Sequence, residues 1–254
     1  MAFVPPIFVS HGEPTLALDR EERGADLAEW ARSLPRPRAI LVVSAHWCER
    51  TLTRGATRRS VPLQPETEDR EVRRVRWPAP GAPELAYEVS ELVPLERAPD
   101  RGWDEGVFAP LVHMFPDADI PVLQLSLVLG ATPRDLHALG KRLGVLADRG
   151  VLLVGSGGIT HGTEKANELH APPVDWAREL DGWFANHLAD AETDTLLAYR
   201  REAPHVRRGH PTSEHIDPLF FVMGAASHYE HAVGFPVRGF EHGTISRRCV
   251  QFGR

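Results

Sequence analysis

Apolar positions fall along this chain in two rhythms. Four short stretches are apolar at almost every position and rich in branched residues: PPIFVS (5–10), AILVVS (39–44), IPVLQLSLV (120–128) and VLLVGSG (151–157). Each is bounded by Pro, Gly or polar residues and predicts a strand, and the runs at 39–44 and 120–128 predict buried ones. Elsewhere apolar residues recur every three or four positions. EERGADLAEWARSL (21–34) sets Leu27, Trp30, Ala31 and Leu34 on one helical face. TPRDLHALGKRLGVLADRG (132–150) stacks Leu136, Leu139, Leu143 and Leu146, with Thr132 placed to cap, Pro133 at the first helical position and Gly150 to end the helix. Further helices are expected over 83–93, 174–190, 193–202 and 214–226. PLVHMFP (110–116) predicts a helix or turn ending at Pro116, and GTISRRCVQF (243–252) an edge strand. Residues 48–80, polar and broken by prolines, predict strands and loops.

Strands separated by helices predict an α/β fold. The expectation is a single domain over 1–254, with a central mostly parallel or mixed sheet and helices on both faces. No repeat, low-complexity segment or linker interrupts it.

Composition adds bounds. The 254 residues are 42% hydrophobic and 25% charged, which supports a sizeable core. The formal net charge is -6, and the basic residues are mostly matched by acidic neighbours, so no nucleic-acid partner is expected. RREAPHVRR (200–208) is the exception and reads as a solvated basic loop, or as one that meets an anionic substrate group if it lies over a site. Cys48 and Cys249 make no CxxC and no disulfide scaffold, which fits a reducing compartment. MAFVPPIFVSHG lacks the basic leader and apolar segment of a signal peptide, and no run reaches the roughly 20 apolar residues of a membrane span. A cytoplasmic location is expected, with no membrane partner. The sequence leaves the oligomeric state open, a homo-oligomer included.

The thirteen histidines carry the chemistry. Three apolar runs end alike: IFVS before His11-Gly12, ILVVSA before His46-Trp47, and VLLVGSGGIT before His161-Gly162. In open α/β sheets ligands bind beyond the carboxyl ends of the strands, so parallel strands would bring these histidines to one rim. Neutral imidazole is a good ligand for iron, zinc, nickel or copper. HPTSEHIDP (210–218) offers more candidates. Thr212 or Ser213 could cap the following helix, with His215 in its first turn. His210 could be a ligand, a supporting donor or a loop residue, and Glu214 is a rival carboxylate that a helix start favours without any metal. Trp47 would pack near the site or line a pocket. No P-loop, GxGxxG or GxSxG stands in a fitting context, and serines adjacent to histidines do not make a triad.

These motifs, in their order and spacing, resemble the class III extradiol ring-cleavage dioxygenases, in the branch of 4,5-DOPA dioxygenase extradiol. The matching pieces are SHGEPT (10–15), ILVVSAHW (40–47), WPAPGAPELA (77–86), GWDEGVFAPLVHMFPDADIPVLQLSL (102–127), GSGGITHG (155–162) and GHPTSEHIDPLFFVMGAA (209–226). The resemblance implies an α/β fold with one mononuclear metal at the carboxyl ends of the strands, held by His11, His46 and His215. It makes His161 the acid-base residue and implies O2-dependent cleavage of a catecholic ring with Fe(II). Zn(II) could occupy the same ligands but offers no redox step. His210 and Glu214 become supporting or capping residues.

Three departures mark this chain. The family's Asp-His-Gly is here Asp104-Glu105-Gly106, at a position expected to meet the substrate or bound oxygen. Its Tyr-Asp-Phe-Tyr-Gly-Phe-Pro segment is replaced by LQPETEDREVRRVRW (63–77). Gly162 stands where the family has Asn. Two rivals therefore accompany the main reading: a zinc hydrolase on the same histidines, and a diverged, non-catalytic protein binding a metal or small ligand.

Overall fold

A computed structural model describes residues 3–162, 168–229 and 232–253. Its strands are β1 (Ile7–Ser10), β2 (Ala39–Glu49), β3 (Thr53–Arg54), β4 (Glu96–Arg97), β5 (Val122–Val128), β6 (Val151–Gly157), β7 (Val233–Gly234), β8 (Phe240–Glu241), β9 (Ile245–Ser246) and β10 (Val250–Phe252). Its helices are α1 (Arg23–Ser33), α2 (Pro83–Leu92), α3 (Glu105–Met114), α4 (Pro133–Leu143), α5 (Val145–Asp148), α6 (Asp175–Ala189), α7 (Thr193–Leu197), α8 (Tyr199–Glu202), α9 (Val206–Gly209) and α10 (Asp217–Ala226).

The main sheet runs β4-β3-β5-β2-β6-β1-β10-β7. Its centre, β5-β2-β6-β1, is parallel, and β10 joins β1 antiparallel, so the sheet is mixed as expected. The pleat sorts alternate residues into two cores. Phe8, Leu41, Val43, Leu125 and Leu153 pack with the core of α4, α6 and α10. Ile7, Val9, Ile40, Val42 and Val154 pack on the opposite face with α1 and α3. Polar side chains near the strand ends, Ser44, Gln124 and Ser156, share the pleat parity of this second face.

Several boundaries differ from the sequence reading. The helix expected at 110–116 begins at Glu105, and Pro110 lies inside it. Gly106 and Pro110 lower its propensity, and nine of its ten residues are buried, which erases the amphipathic signal. The 132–150 helix keeps its Thr132 cap, as a capping box with Asp135, but divides at Gly144. A Cβ at Gly144 would stand 2.4 Å from the Ala225 carbonyl oxygen, so the close crossing with α10 needs glycine there. The 193–202 helix breaks at Ala198 into α7 and α8. Of 243–252, only Val250–Phe252 joins the main sheet, where β7 pairs with it and takes the edge; β9 instead forms a ribbon with β8. No helix among the described residues is long and apolar enough to cross a membrane.

Candidate metal centre

Three elements deliver three imidazoles to one point at the carboxyl ends of the central strands. His11 follows β1, and its N–H donates to the Gly157 carbonyl at 3.0 Å. Gly12 then turns the chain with φ +58°. His46 lies on β2 where the pairing with β5 slips: Val43 faces Leu125, but Cys48 faces Leu127. The extra residues bulge out of the ladder and re-aim the side chain.

His215 reaches the same rim from the loop before α10. The helix starts at Asp217, with no side-chain cap from Thr212 or Ser213, so His215 precedes its first turn. Thr212 Oγ1 instead donates to Glu214 Oε1 at 2.6 Å. The His215 backbone is pinned to β6, where its carbonyl accepts from the Gly158 N–H at 2.8 Å. A Cβ at Gly157 would lie 2.0 Å from that carbonyl oxygen, so the GSGG stretch is glycine-rich because a loop lies directly on it.

One nitrogen from each of His11, His46 and His215 lies within 4.8 Å of the other two. His11 Nε2 and His46 Nε2 are 3.2 Å apart. His161, on the far side, stacks on His215 with centroids 3.7 Å apart and planes 16° from parallel.

Neighbours fix the direction of each ring. Ser156 Oγ donates to the Gly106 carbonyl, so toward His11 Nδ1, at 3.0 Å, it accepts. His11 then carries its proton on Nδ1 and turns a bare Nε2 inward. Glu66 Oε2 lies 3.4 Å from His46 Nδ1, and a carboxylate oxygen accepts there too. Glu214 Oε1 lies 3.8 Å from His215 Nδ1. The His215 imidazole and the Thr212 hydroxyl hold the Glu214 carboxyl down at about 2, against partial burial. Burial, then the neighbouring His46, His215 and His161, lowers the His11 pKa well below the usual imidazole value. A neutral, lone-pair-bearing imidazole is the form a metal needs.

The donor set fits a divalent metal. Two bare ring nitrogens 3.2 Å apart repel unless a cation lies between them. Placed about 2.1 Å from one ion, they would subtend about 100°, compatible with tetrahedral or octahedral coordination.

The other predicted positions fall around this point. Trp47 is buried, donates from Nε1 to Glu49 Oε1 at 3.0 Å, and carries the Arg101 guanidinium 5.3 Å above its ring. Arg101 Nη2 donates to the His46 carbonyl at 3.1 Å. His210 is buried, and burial pushes its pKa down to about 4. Its Nε2 donates to the Ile159 carbonyl at 2.8 Å, so its contact is with the strand-end backbone. Glu105, 2% exposed, turns Oε1 to the backbone amides of Glu66 and Thr67. Its buried Oε2 has no protein hydrogen-bond partner. The basic run 200–208 forms exposed helical turns rather than a plain loop, with Arg208 5.2 Å over Trp176.

Sequence reading missed several supporting groups. Asp104 is fully buried and accepts from Ser44 Oγ at 2.7 Å, Arg101 Nη2 at 3.1 Å, and Gln124 Nε2. That network anchors the start of α3 against β2 and β5. A Cβ on Gly106 would meet Ser44 Oγ at 2.3 Å, so the third residue of Asp-Glu-Gly must be small. Polar residues at the ends of otherwise apolar strands were the available signal.

The comparisons agree with this architecture. The family model for the catalytic LigB subunit of aromatic ring-opening dioxygenase matches residues 2–246. The chain is 34% identical to a 4,5-DOPA dioxygenase extradiol of Beta vulgaris, over 86% of this chain and 85% of that one. It is 33% identical to the Escherichia coli K12 protein of the same name, over 98% and 95%. The crystal structure of an uncharacterised Escherichia coli K12 protein superposes with a TM-score of 0.80 at 30% identity, covering 98% of this chain and 100% of that one. The chain belongs to the class III extradiol ring-cleavage dioxygenases, a family of enzymes. Within that class it falls in the DOPA-dioxygenase-like branch.

Proposed function

We propose that this enzyme opens the ring of a catecholic substrate with O2, using Fe(II) held by His11, His46 and His215. The supporting observation is the convergence of three ring nitrogens within 4.8 Å at the strand ends, with a fourth imidazole stacked beside them. Iron bound there supplies the redox link between an electron-rich ring and O2. The protein's own residues do the rest. Ser156 and Glu66 hold two of the rings with Nε2 inward. His161, held by its N–H to the Gly209 carbonyl at 3.1 Å, takes a proton from a catechol hydroxyl and returns it as the ring opens. The Glu105 carboxylate departs from the family's histidine and favours a substrate that presents a hydrogen-bond donor or cation over one that presents a carboxylate.

The test is anaerobic loading with Fe(II), followed by a catechol panel and O2, with oxygen uptake and the visible spectrum recorded. Uptake with a yellow ring-opened product is expected. No uptake across the panel, with zinc-dependent ester or amide hydrolysis instead, would overturn the reading. His161→Ala should keep full metal occupancy and lose turnover by about 10²–10⁴-fold. Unchanged turnover would remove its proton-transfer role.

A further inference from the structure

The two main departures from the family pattern touch each other. Glu105 stands at the first position of α3, and LQPETED is the segment that replaces the family's aromatic run. Glu105 Oε1 accepts from the amides of Glu66 and Thr67, the latter at 2.8 Å. Those two residues are thereby fixed on a buried carboxylate. The same loop is stitched to the chain just before α3: the Gln64 N–H donates to the Trp103 carbonyl at 2.7 Å, and the Trp103 N–H to the Pro62 carbonyl at 3.0 Å. Once Glu66's backbone is held, its side chain has a short reach. One carboxylate oxygen lies 3.4 Å from His46 Nδ1, and the other 3.8 Å from Arg101 Nη2. Arg101 is itself held by Asp104 and by the His46 carbonyl.

We propose that Glu105 and Glu66 form one positioning device for His46. Glu105 anchors the loop backbone, and the anchored loop puts the Glu66 carboxylate on His46 Nδ1. This inference rests on the three-histidine metal reading above. His46 needs such help more than its two partners. His11 has a buried serine behind it, and His215 has its backbone pressed onto Gly157. His46 sits in a bulge and is partly exposed, so the sheet alone leaves its ring free to turn. A carboxylate on the distal nitrogen fixes the tautomer and raises the basicity of the nitrogen facing the metal. Glu105 thus acts as a loop anchor, and the anchored loop supplies the carboxylate that faces His46.

The test measures Co(II) affinity by chelator competition, with no turnover involved. Glu66→Ala should weaken Co(II) binding about 10–100-fold. Glu66 is half exposed, so the fold should survive and the apo melting temperature should stay near wild type. Glu66→Gln keeps an acceptor and should lose less. In the Co(II) protein, the exchangeable His46 Nδ1–H signal should be present in wild type and lost or broadened in Glu66→Ala. Glu105→Ala should weaken binding in the wild-type background and add little once Glu66 is Ala. Co(II) affinity in Glu66→Ala within twofold of wild type would overturn the device. So would a Glu105→Ala effect undiminished in the Glu66→Ala background. A wild-type chain that bound no Co(II) would instead overturn the three-histidine reading, and this inference with it.

Discussion

The two sides of the metal centre are built differently. On one side, His11 and His215 are held by the sheet itself: β1 and β6 end beside each other, Ser156 backs one ring, and Gly157 seats the backbone of the other. On the other side, His46 projects from a bulge and is faced by groups from outside the sheet: Glu66 and Arg101 from loops, with the buried Glu105 of α3 behind the Glu66 backbone. The first side is set by backbone pairing and glycine contacts, where a substitution disturbs the fold. The second is set by side chains, where a substitution changes chemistry and spares the fold.

The sharpest way to break this contrast is at Gly157. Gly157→Ala places a methyl group 2.0 Å from the His215 carbonyl oxygen, and backbone cannot yield as a flexible side chain does. We expect about 3 kcal/mol or more of lost stability by urea unfolding, together with loss of metal binding. A variant as stable as wild type would show that the His215 loop is not seated on β6. Ser156→Ala is the next largest. It strips both the His11 Nδ1–H and the Gly106 carbonyl of a buried partner, at a cost of about 1–3 kcal/mol. Metal affinity, read by chelator competition, should fall about 10–100-fold; unchanged affinity would detach Ser156 from the ring's orientation.

The smallest effect is a pH dependence of the metal-free fold. His210 titrates at about 4 in the folded chain and near 6.5 when unfolded. Between those values the unfolded chain binds a proton that the folded chain refuses, so stability falls as pH falls below about 6.5. Burial lowers His11, His113 and His137 in the same direction. Asp217, pushed up to about 6 by burial, opposes them by favouring the folded state as pH falls. Urea midpoints should record a net loss of about 1 kcal/mol from pH 7 to 5.5. A midpoint that rises over that range would mean that the carboxyl outweighs the imidazoles.

What the sequence revealed follows the same division. The central strands were legible because they are covered on both faces and read as unbroken apolar runs. The histidines at their ends were legible because strand ends are where such sheets bind. The start of α3 was hidden, since a helix buried all round with a glycine and a proline inside shows neither period nor propensity. Glu66 was invisible for a different reason. Nothing local distinguishes it from the other acids of PETED, and only the fold brings it to a residue twenty positions earlier. Glu105 was visible as a substitution, but its contact with the 66–67 backbone was not.

Pro110 gains a meaning from this arrangement. A helical residue normally gives its amide hydrogen to the carbonyl four positions before it, which for Pro110 is that of Gly106. Proline has no such hydrogen, so that carbonyl, in the first turn of a buried helix, is left without its usual backbone donor. The Ser156 hydroxyl takes that place, and in doing so can only receive, not donate, on its other side. A missing backbone proton in one helix thus determines which nitrogen of an imidazole, on a different element, is protonated. A residue such as alanine at 110 would restore a competitor for that carbonyl and release the hydroxyl to swing either way. What looks in the sequence like a defect in a helix fixes, in the folded chain, the side of an imidazole on which its proton rests.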